Sequence, residues 1–126
     1  MRIDGLTAGT YTLYFVGRNS NGTTARPENF YVITGALSTT FDFSSQTAIP
    51  LSNSLTSGND TFIAGNNYNS VTVTVAAGQS VFVATQGSSG NEARGFLNSL
   101  EVVSVSGPAV APQFLGGLLL LARRRR

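Results

Sequence analysis

The sequence predicts an all-β fold, an antiparallel β-sandwich over residues 1–106, with a short apolar helix near the C terminus. Short runs in which apolar and polar residues alternate recur along the chain, and runs rich in Gly, Asn and Pro separate them. No stretch of residues 1–106 keeps the apolar period of 3.6 that marks an amphipathic helix. The 126 residues are 41% hydrophobic, which suffices for one core.

The first half of the chain predicts three strands. Residues 11–18 alternate, so that Tyr11, Leu13 and Phe15 share one face, and the dipeptide Asn21-Gly22 ends this run in a turn. Residues 30–35 form the second predicted strand. Residues 39–43 form the third, with its aromatic side chains on one face.

The second half begins with a polar loop, residues 44–60, which Pro50 interrupts. A short strand is predicted at residues 61–64, and the alternating valines of residues 71–75 predict another. Residues 76–79 are a four-residue turn that favours a hairpin with a strand at 80–85. The last predicted strand is 95–105, in which the amide of Asn98 needs a backbone partner if its face is inward.

The composition excludes most catalytic chemistry. The chain contains no Lys, His, Cys or Trp, which excludes zinc fingers, thiol chemistry, disulfides, Ser-His-Asp triads and haem ligation. The six carboxylates show no pairing of the kind that a glycosidase needs. Arg18, Arg26 and Glu28 predict a cross-strand ion pair, which would contribute about 0–1 kcal/mol if exposed. We therefore expect a protein that is not an enzyme.

The net charge of +2 comes from the C terminus. Residues 1–122 contain four arginines against six acids, a net charge of −2, and the four arginines are dispersed. Nucleic-acid binding requires a basic stripe that displaces counterions from phosphates. We expect no nucleic-acid partner.

The last twenty residues differ in composition from the body and predict a second unit, 107–126. Pro108 and Pro112 bracket a linker of small residues. The nine apolar residues 114–122 would form a helix of about 14 Å, whereas a bilayer core is about 30 Å thick. They are Phe114, Leu115, Gly116, Gly117, Leu118, Leu119, Leu120, Leu121 and Ala122, and Arg123, Arg124, Arg125 and Arg126 end the chain.

Residues 4–14, DGLTAGTYTLY, resemble the strand entry of galactose-binding-like jelly rolls, and residues 95–102, GFLNSLEV, resemble their final strand. The tail resembles PEP-CTERM sorting signals in its order of proline motif, apolar helix and arginines. The signal is degenerate, because the Pro-Glu-Pro triplet is absent and the helix is short. The Gly116-Gly117 pair also resembles the GlyGly-CTERM class, which ranks second.

The resemblance implies an exported protein of the cell envelope or extracellular matrix, transiently anchored in the membrane by the tail and cut there by a sorting peptidase. No secretory signal is visible at the N terminus, and six or seven strands fall short of the eight of a jelly roll. We therefore expect the sandwich to be incomplete at its N terminus and the chain to be the downstream part of a longer precursor.

An alternative is a carbohydrate-binding module, in which the same fold binds extracellular polysaccharide. Galactose-binding-like sandwiches hold glycans on exposed aromatic residues with polar neighbours. The candidates here are Tyr14, Tyr31 and Tyr68 as platforms, with Arg18 beside them. Residues 58–67, GNDTFIAGNN, resemble one turn of a Ca²⁺-binding repeat, in which Asp60 would supply the carboxylate.

Overall fold

Seven β-strands form two antiparallel sheets in the part of the chain that the structure, a computed structural model, describes: residues 1–18, 25–40, 42–54, 61–88 and 95–107. The strands are β1 (Arg2–Ile3), β2 (Gly9–Val16), β3 (Glu28–Gly35), β4 (Ile49–Leu51), β5 (Tyr68–Val75), β6 (Ser80–Gly87) and β7 (Ser99–Ser104). A single 3-10 turn, Phe43–Ser45, is the only helical element among these residues. The expected all-β, antiparallel class is confirmed.

The first sheet has four strands in the order β1-β6-β3-β4. Its centre is the pairing of β3 with β6, which runs without interruption from Glu28 opposite Gly87 to Gly35 opposite Ser80. Strand β4 lies at the edge and contains Pro50. An edge position accommodates proline, because one side of the strand has no ladder hydrogen bond to lose.

The second sheet has three strands in the order β5-β2-β7. Strand β2 is central, and it pairs with β5 from Gly9 opposite Val75 to Val16 opposite Tyr68. Its other edge pairs with β7. The alternation of β2 therefore presents one face of the whole sheet to the core and the other to solvent.

The two sheets share one core. Phe15 of β2 stacks on Phe30 of β3, with ring centroids 4.9 Å apart and an interplanar angle of 12°. Both rings are fully buried, so this contact joins the sheets through the most apolar part of each. The buried cluster comprises Tyr11, Leu13, Phe15, Phe30, Leu51, Val75, Val81 and Val83.

The strand predicted at residues 39–43 is wrong. The backbone N–H of Thr39 donates to the Ala36 carbonyl over 2.9 Å, so the chain turns directly after β3. Oδ1 of Asp42 then accepts hydrogen bonds from the backbone N–H and the hydroxyl of Ser44, at 2.9 and 2.8 Å. These local bonds stabilise the 3-10 turn and compete with strand pairing.

The hairpin predicted between residues 71–75 and 80–85 is also wrong. Both strands exist, but β5 pairs with β2, whereas β6 pairs with β3 and β1. The turn between them, closed by the N–H of Gln79 on the Ala76 carbonyl at 3.1 Å, carries the chain from one sheet to the other. Gly78 has a φ of 76° there, a left-handed conformation that favours glycine.

Two smaller differences concern the polar loops. The predicted loop 44–60 contains strand β4, and the strand predicted at 61–64 is reduced to an isolated bridge between Ala64 and Tyr68. The predicted apolar helix and the division at residue 107 concern residues 108–126, which lie outside the described residues. Within the described part of the chain, no helix has the length and apolarity to cross a membrane.

Candidate functional site

The outer face of the three-stranded sheet carries exposed aromatic side chains. Because Leu13 and Phe15 of β2 point into the core, Tyr14 and Val16 point outward. Tyr14 lies between Ser70 of β5 and Glu101 of β7 in the antiparallel register. Residues opposite each other share a face, so all of these side chains stand on the solvent side.

An open groove of about 270 Å³ lies on this face. Three aromatic rings contribute to its walls, and two of them, Tyr14 and Phe62, are 39% and 68% exposed. Its lining residues are Tyr14, Val16, Phe62, Tyr68 and Glu101. The groove combines a broad apolar surface with one carboxylate.

A turn before β5 positions Phe62. The Asn67 side chain accepts a hydrogen bond from the N–H of Ile63 at 2.7 Å and donates one to the Thr61 carbonyl at 3.0 Å. The carbonyl of Asn67 accepts from the N–H of Gly17 at 3.2 Å, which ties this turn to the end of β2. Phe62 thereby meets Tyr68 edge to face, with centroids 6.0 Å apart and ring planes at 84°.

The perpendicular rings give the groove a corner. Aromatic faces bind apolar ring surfaces and C–H groups, and they also attract cations. The Glu101 carboxylate accepts hydrogen bonds from hydroxyl or ammonium groups. The arrangement is therefore suited to a small polyhydroxylated or cationic ligand.

The structure brings two of the four predicted ligand-binding residues together. Tyr14 and Tyr68 line the same groove, whereas Tyr31 lies on β3 of the other sheet. Tyr31 is only 8% exposed, and its hydroxyl donates to Oε1 of Gln86 at 3.3 Å. Arg18 follows β2, where its backbone N–H donates to Oδ1 of Asn98 at 2.6 Å. Asn98 is exposed, so the condition under which its amide would need a backbone partner is not met.

The sequence did not indicate Phe62, Val16 or Glu101 as groove residues. Val16 has the parity of Tyr14, which was available from the alternation of β2 alone. Glu101 is 87 positions from Tyr14 along the chain, and only the register of β7 on β2 brings the two together. Phe62 was visible as an aromatic residue of the short strand predicted at residues 61–64, although no pattern indicated what it faces.

A second polar cluster surrounds Glu28, at one end of the core. Its side chain is 0% exposed; Oε1 accepts from Nδ2 of Asn53 at 2.9 Å and Oε2 from the backbone N–H of Phe96 at 2.5 Å. Burial raises the pKa of this carboxyl, and the two hydrogen bonds oppose the rise. Glu28 is therefore buried, and it ties three segments together from inside through Asn53 and Phe96.

Asp60, the candidate calcium ligand, lies outside the described residues. The described ranges contain no group of three or more acidic, His or Cys side chains arranged to hold a metal ion. Among the remaining acids, Asp4 pairs with Nε of Arg2 at 2.9 Å and accepts from the Ser80 hydroxyl at 2.6 Å. Asp42 stabilises the turn at Ser44.

Comparison of the chain with protein-family models, with curated proteins and with solved structures gives no match.

Proposed function

We propose that this chain is a non-catalytic carbohydrate-binding module, whose ligand lies in the groove on the outer face of the three-stranded sheet. The observation that carries the proposal is the set of three aromatic side chains, Tyr14, Phe62 and Tyr68, around an open groove. Small-molecule sites are typically concave and largely apolar, with few polar groups that fix orientation. The groove has this character.

Pyranose rings combine apolar C–H faces with a rim of hydroxyls, and this groove complements both. A tyrosine ring stacks on the C–H face, and the Glu101 carboxylate accepts bonds from the rim. Tyr14 is fixed in the central strand, between two paired neighbours, so the platform loses little conformational freedom when a ligand binds.

The proposal extends to the setting of the module. We place it in a jelly-roll-like β-sandwich of an exported cell-envelope or matrix protein, because residues 4–14 and 95–102 resemble galactose-binding-like strands. Two antiparallel sheets around one core are compatible with that architecture. The tail, 107–126, supports export and sorting through its resemblance to PEP-CTERM signals.

Glycan binding is measured by titrating the purified chain with a panel of neutral, amino and acidic polysaccharides and their oligosaccharides. We expect at least one to bind, and Y14A to weaken that binding at least about tenfold, as loss of an aromatic anchor does. The melting temperature should change little, because Tyr14 is already 39% exposed.

V103A is the matched control, because Val103 is also 39% exposed and points outward from β7 but does not line the groove. Its affinity should equal that of the unchanged chain. Absence of binding across the panel, or equal affinities for Y14A and V103A, would contradict the proposal.

A further inference from the structure

We infer that the groove selects hexosamines with a free, protonated amine over neutral and acidic sugars, an inference that rests on the proposed carbohydrate binding. Its basis is the position of Glu101. Among the described residues that line the groove, Glu101 is the only charged one, and the other four are aromatic or aliphatic. A single carboxylate therefore sets the electrostatic character of the site.

The register places this carboxylate beside the aromatic platform. Tyr14 and Glu101 are direct partners across β2 and β7, and facing side chains of neighbouring strands lie about 5 Å apart at Cβ. A sugar ring stacked on Tyr14 would therefore present its substituents within reach of Glu101. An ammonium substituent forms a charge-assisted hydrogen bond with a carboxylate, which is stronger than the bond from a neutral hydroxyl.

The aromatic rings act in the same direction. Tyr68 and Phe62 meet at 84°, so they present ring surfaces in two directions around the corner of the groove. Aromatic faces attract cations through their quadrupole, including ammonium groups of ligands. A protonated amine is therefore attracted by both the aromatic rings and the Glu101 carboxylate. An N-acetylated amine carries no charge and lacks both attractions.

Apart from Glu101, the β5 and β7 residues paired with Tyr14 and Val16 carry no charge. Ser70 of β5 lies opposite Tyr14, and Ser99 of β7 lies opposite Val16, so both serines share the face of the groove, and both are neutral. The chain before the final arginines carries six acids against four arginines. A uronic acid stacked on Tyr14 would lie beside the Glu101 carboxylate, and like charges at close range are unfavourable.

The proposal is tested by titrating the full chain with three oligosaccharides of equal length: a β-1,4-glucosamine pentamer, its fully N-acetylated form and a galacturonic acid pentamer. At about pH 6, we expect the glucosamine pentamer to bind about fivefold more tightly than the acetylated one. That factor corresponds to one exposed ion pair. The galacturonic acid pentamer should bind most weakly.

E101Q should remove this preference, because it should weaken the binding of the glucosamine pentamer more than that of the acetylated pentamer. D42N is the matched control, because it also removes one negative charge but lies outside the groove, in the turn at Ser44. It should keep the full preference. Added salt should reduce the preference of the unchanged chain, since the pair is exposed to solvent.

The outcomes separate the two proposals. Equal binding of the amino and acetylated pentamers, or a preference that survives in E101Q, would overturn the charge selection and leave carbohydrate binding standing. If E101Q and D42N lose the preference equally, the preference arises from the net charge of the protein and not from Glu101. That result would also overturn the inference. Failure of all three pentamers and of the wider polysaccharide panel to bind would remove both proposals together.

Discussion

Gly17 lies so close to Glu28 that position 17 has no room for a side chain. A Cβ built on Gly17 would lie 2.0 Å from Oε1 of Glu28 and 2.9 Å from the Phe96 carbonyl oxygen. The Phe96 carbonyl oxygen belongs to the backbone and cannot move aside as a flexible side chain does. The buried carboxylate and the glycine at the end of β2 are therefore mutually dependent.

The first prediction is that G17A destabilises the fold by about 1–3 kcal/mol, the range for overpacking a filled site. The free energy of unfolding, from urea denaturation followed by circular dichroism, measures the effect. G107A is the control, because a Cβ on Gly107 meets nothing within 4 Å. A G17A variant as stable as G107A would show that Glu28 and its partners rearrange around the added Cβ with no loss in the free energy of unfolding.

The second prediction concerns the pH dependence of stability. Burial raises the pKa of Glu28, so the folded state favours the protonated form of this carboxyl more than the unfolded state does. Its contribution to the free energy of unfolding is therefore fully present below the unfolded-state pKa and declines as the pH rises through the folded-state pKa. We expect the stability of the unchanged chain relative to E28Q to increase as the pH falls from about 7 to about 4.5.

Measuring this difference isolates Glu28. Hydrogen bonding lowers the pKa of Asp4, with Ser80 as its partner, and of Asp42, with Ser44 as its partner. Their contributions are lost as the pH falls, but both proteins share them, so they cancel in the difference. Urea titrations at several pH values provide the data, and a difference that stays flat with pH would contradict the assignment.

The third prediction is that Phe15 and Phe30 are energetically coupled across the two sheets. Single F15L and F30L changes conserve much of the volume and should each cost about 1 kcal/mol. The double variant should lose less than the two singles together, by about 0.5–1.5 kcal/mol, the usual value for an aromatic pair. Urea denaturation of the four proteins gives this cycle, with L37A, at a 62% exposed side chain, as a control that changes little. Strict additivity would mean that the ring contact contributes no more than burial.

The fourth prediction is that the tail, residues 107–126, acts as a sorting signal. Residues 106–126, fused behind an exported reporter in a host with the sorting machinery, should be cut within 107–112, and intact-mass measurement of the reporter shows the loss. The arginines should stay on the cytoplasmic side while the apolar stretch engages the membrane. Deleting 108–126 should leave the melting of the β-domain unchanged. A full-length tail that persists on soluble reporter would refute the prediction.

Strand alternation made much of the fold predictable. The valines at 71, 73 and 75 and the aromatic alternation of β2 each mark an inward face, because burial on one side of a sheet imposes a period of two. The hairpin failed for a different reason. Residues 76–79 specify a tight turn, but nothing local specifies which sheet receives the next strand.

The site was predictable only in part. Tyr14 and Tyr68 were recognisable as exposed aromatic candidates, and they do share a groove. Glu101 could not be placed beside them, because that contact depends on the register of two strands far apart in the sequence. The strand predicted at residues 39–43 was wrong because Asp42 accepts a hydrogen bond from the nearby backbone N–H of Ser44. Such local bonds can override an alternating pattern.

The sheet order also determines when this chain can fold during its synthesis. Strand β2 pairs with β5 and β7, and the hydroxyls of Thr12 and Thr72, 3.2 Å apart, meet across 60 positions of sequence. When β2 leaves the ribosome, neither of its partners has been made, so the apolar face formed by Leu13 and Phe15 has no sheet to cover it. Pairings that span such distances form slowly, and apolar surface left uncovered in the meantime attracts chaperones and promotes aggregation. The yield of native protein should therefore depend on the rate of translation through β7 and on chaperone supply.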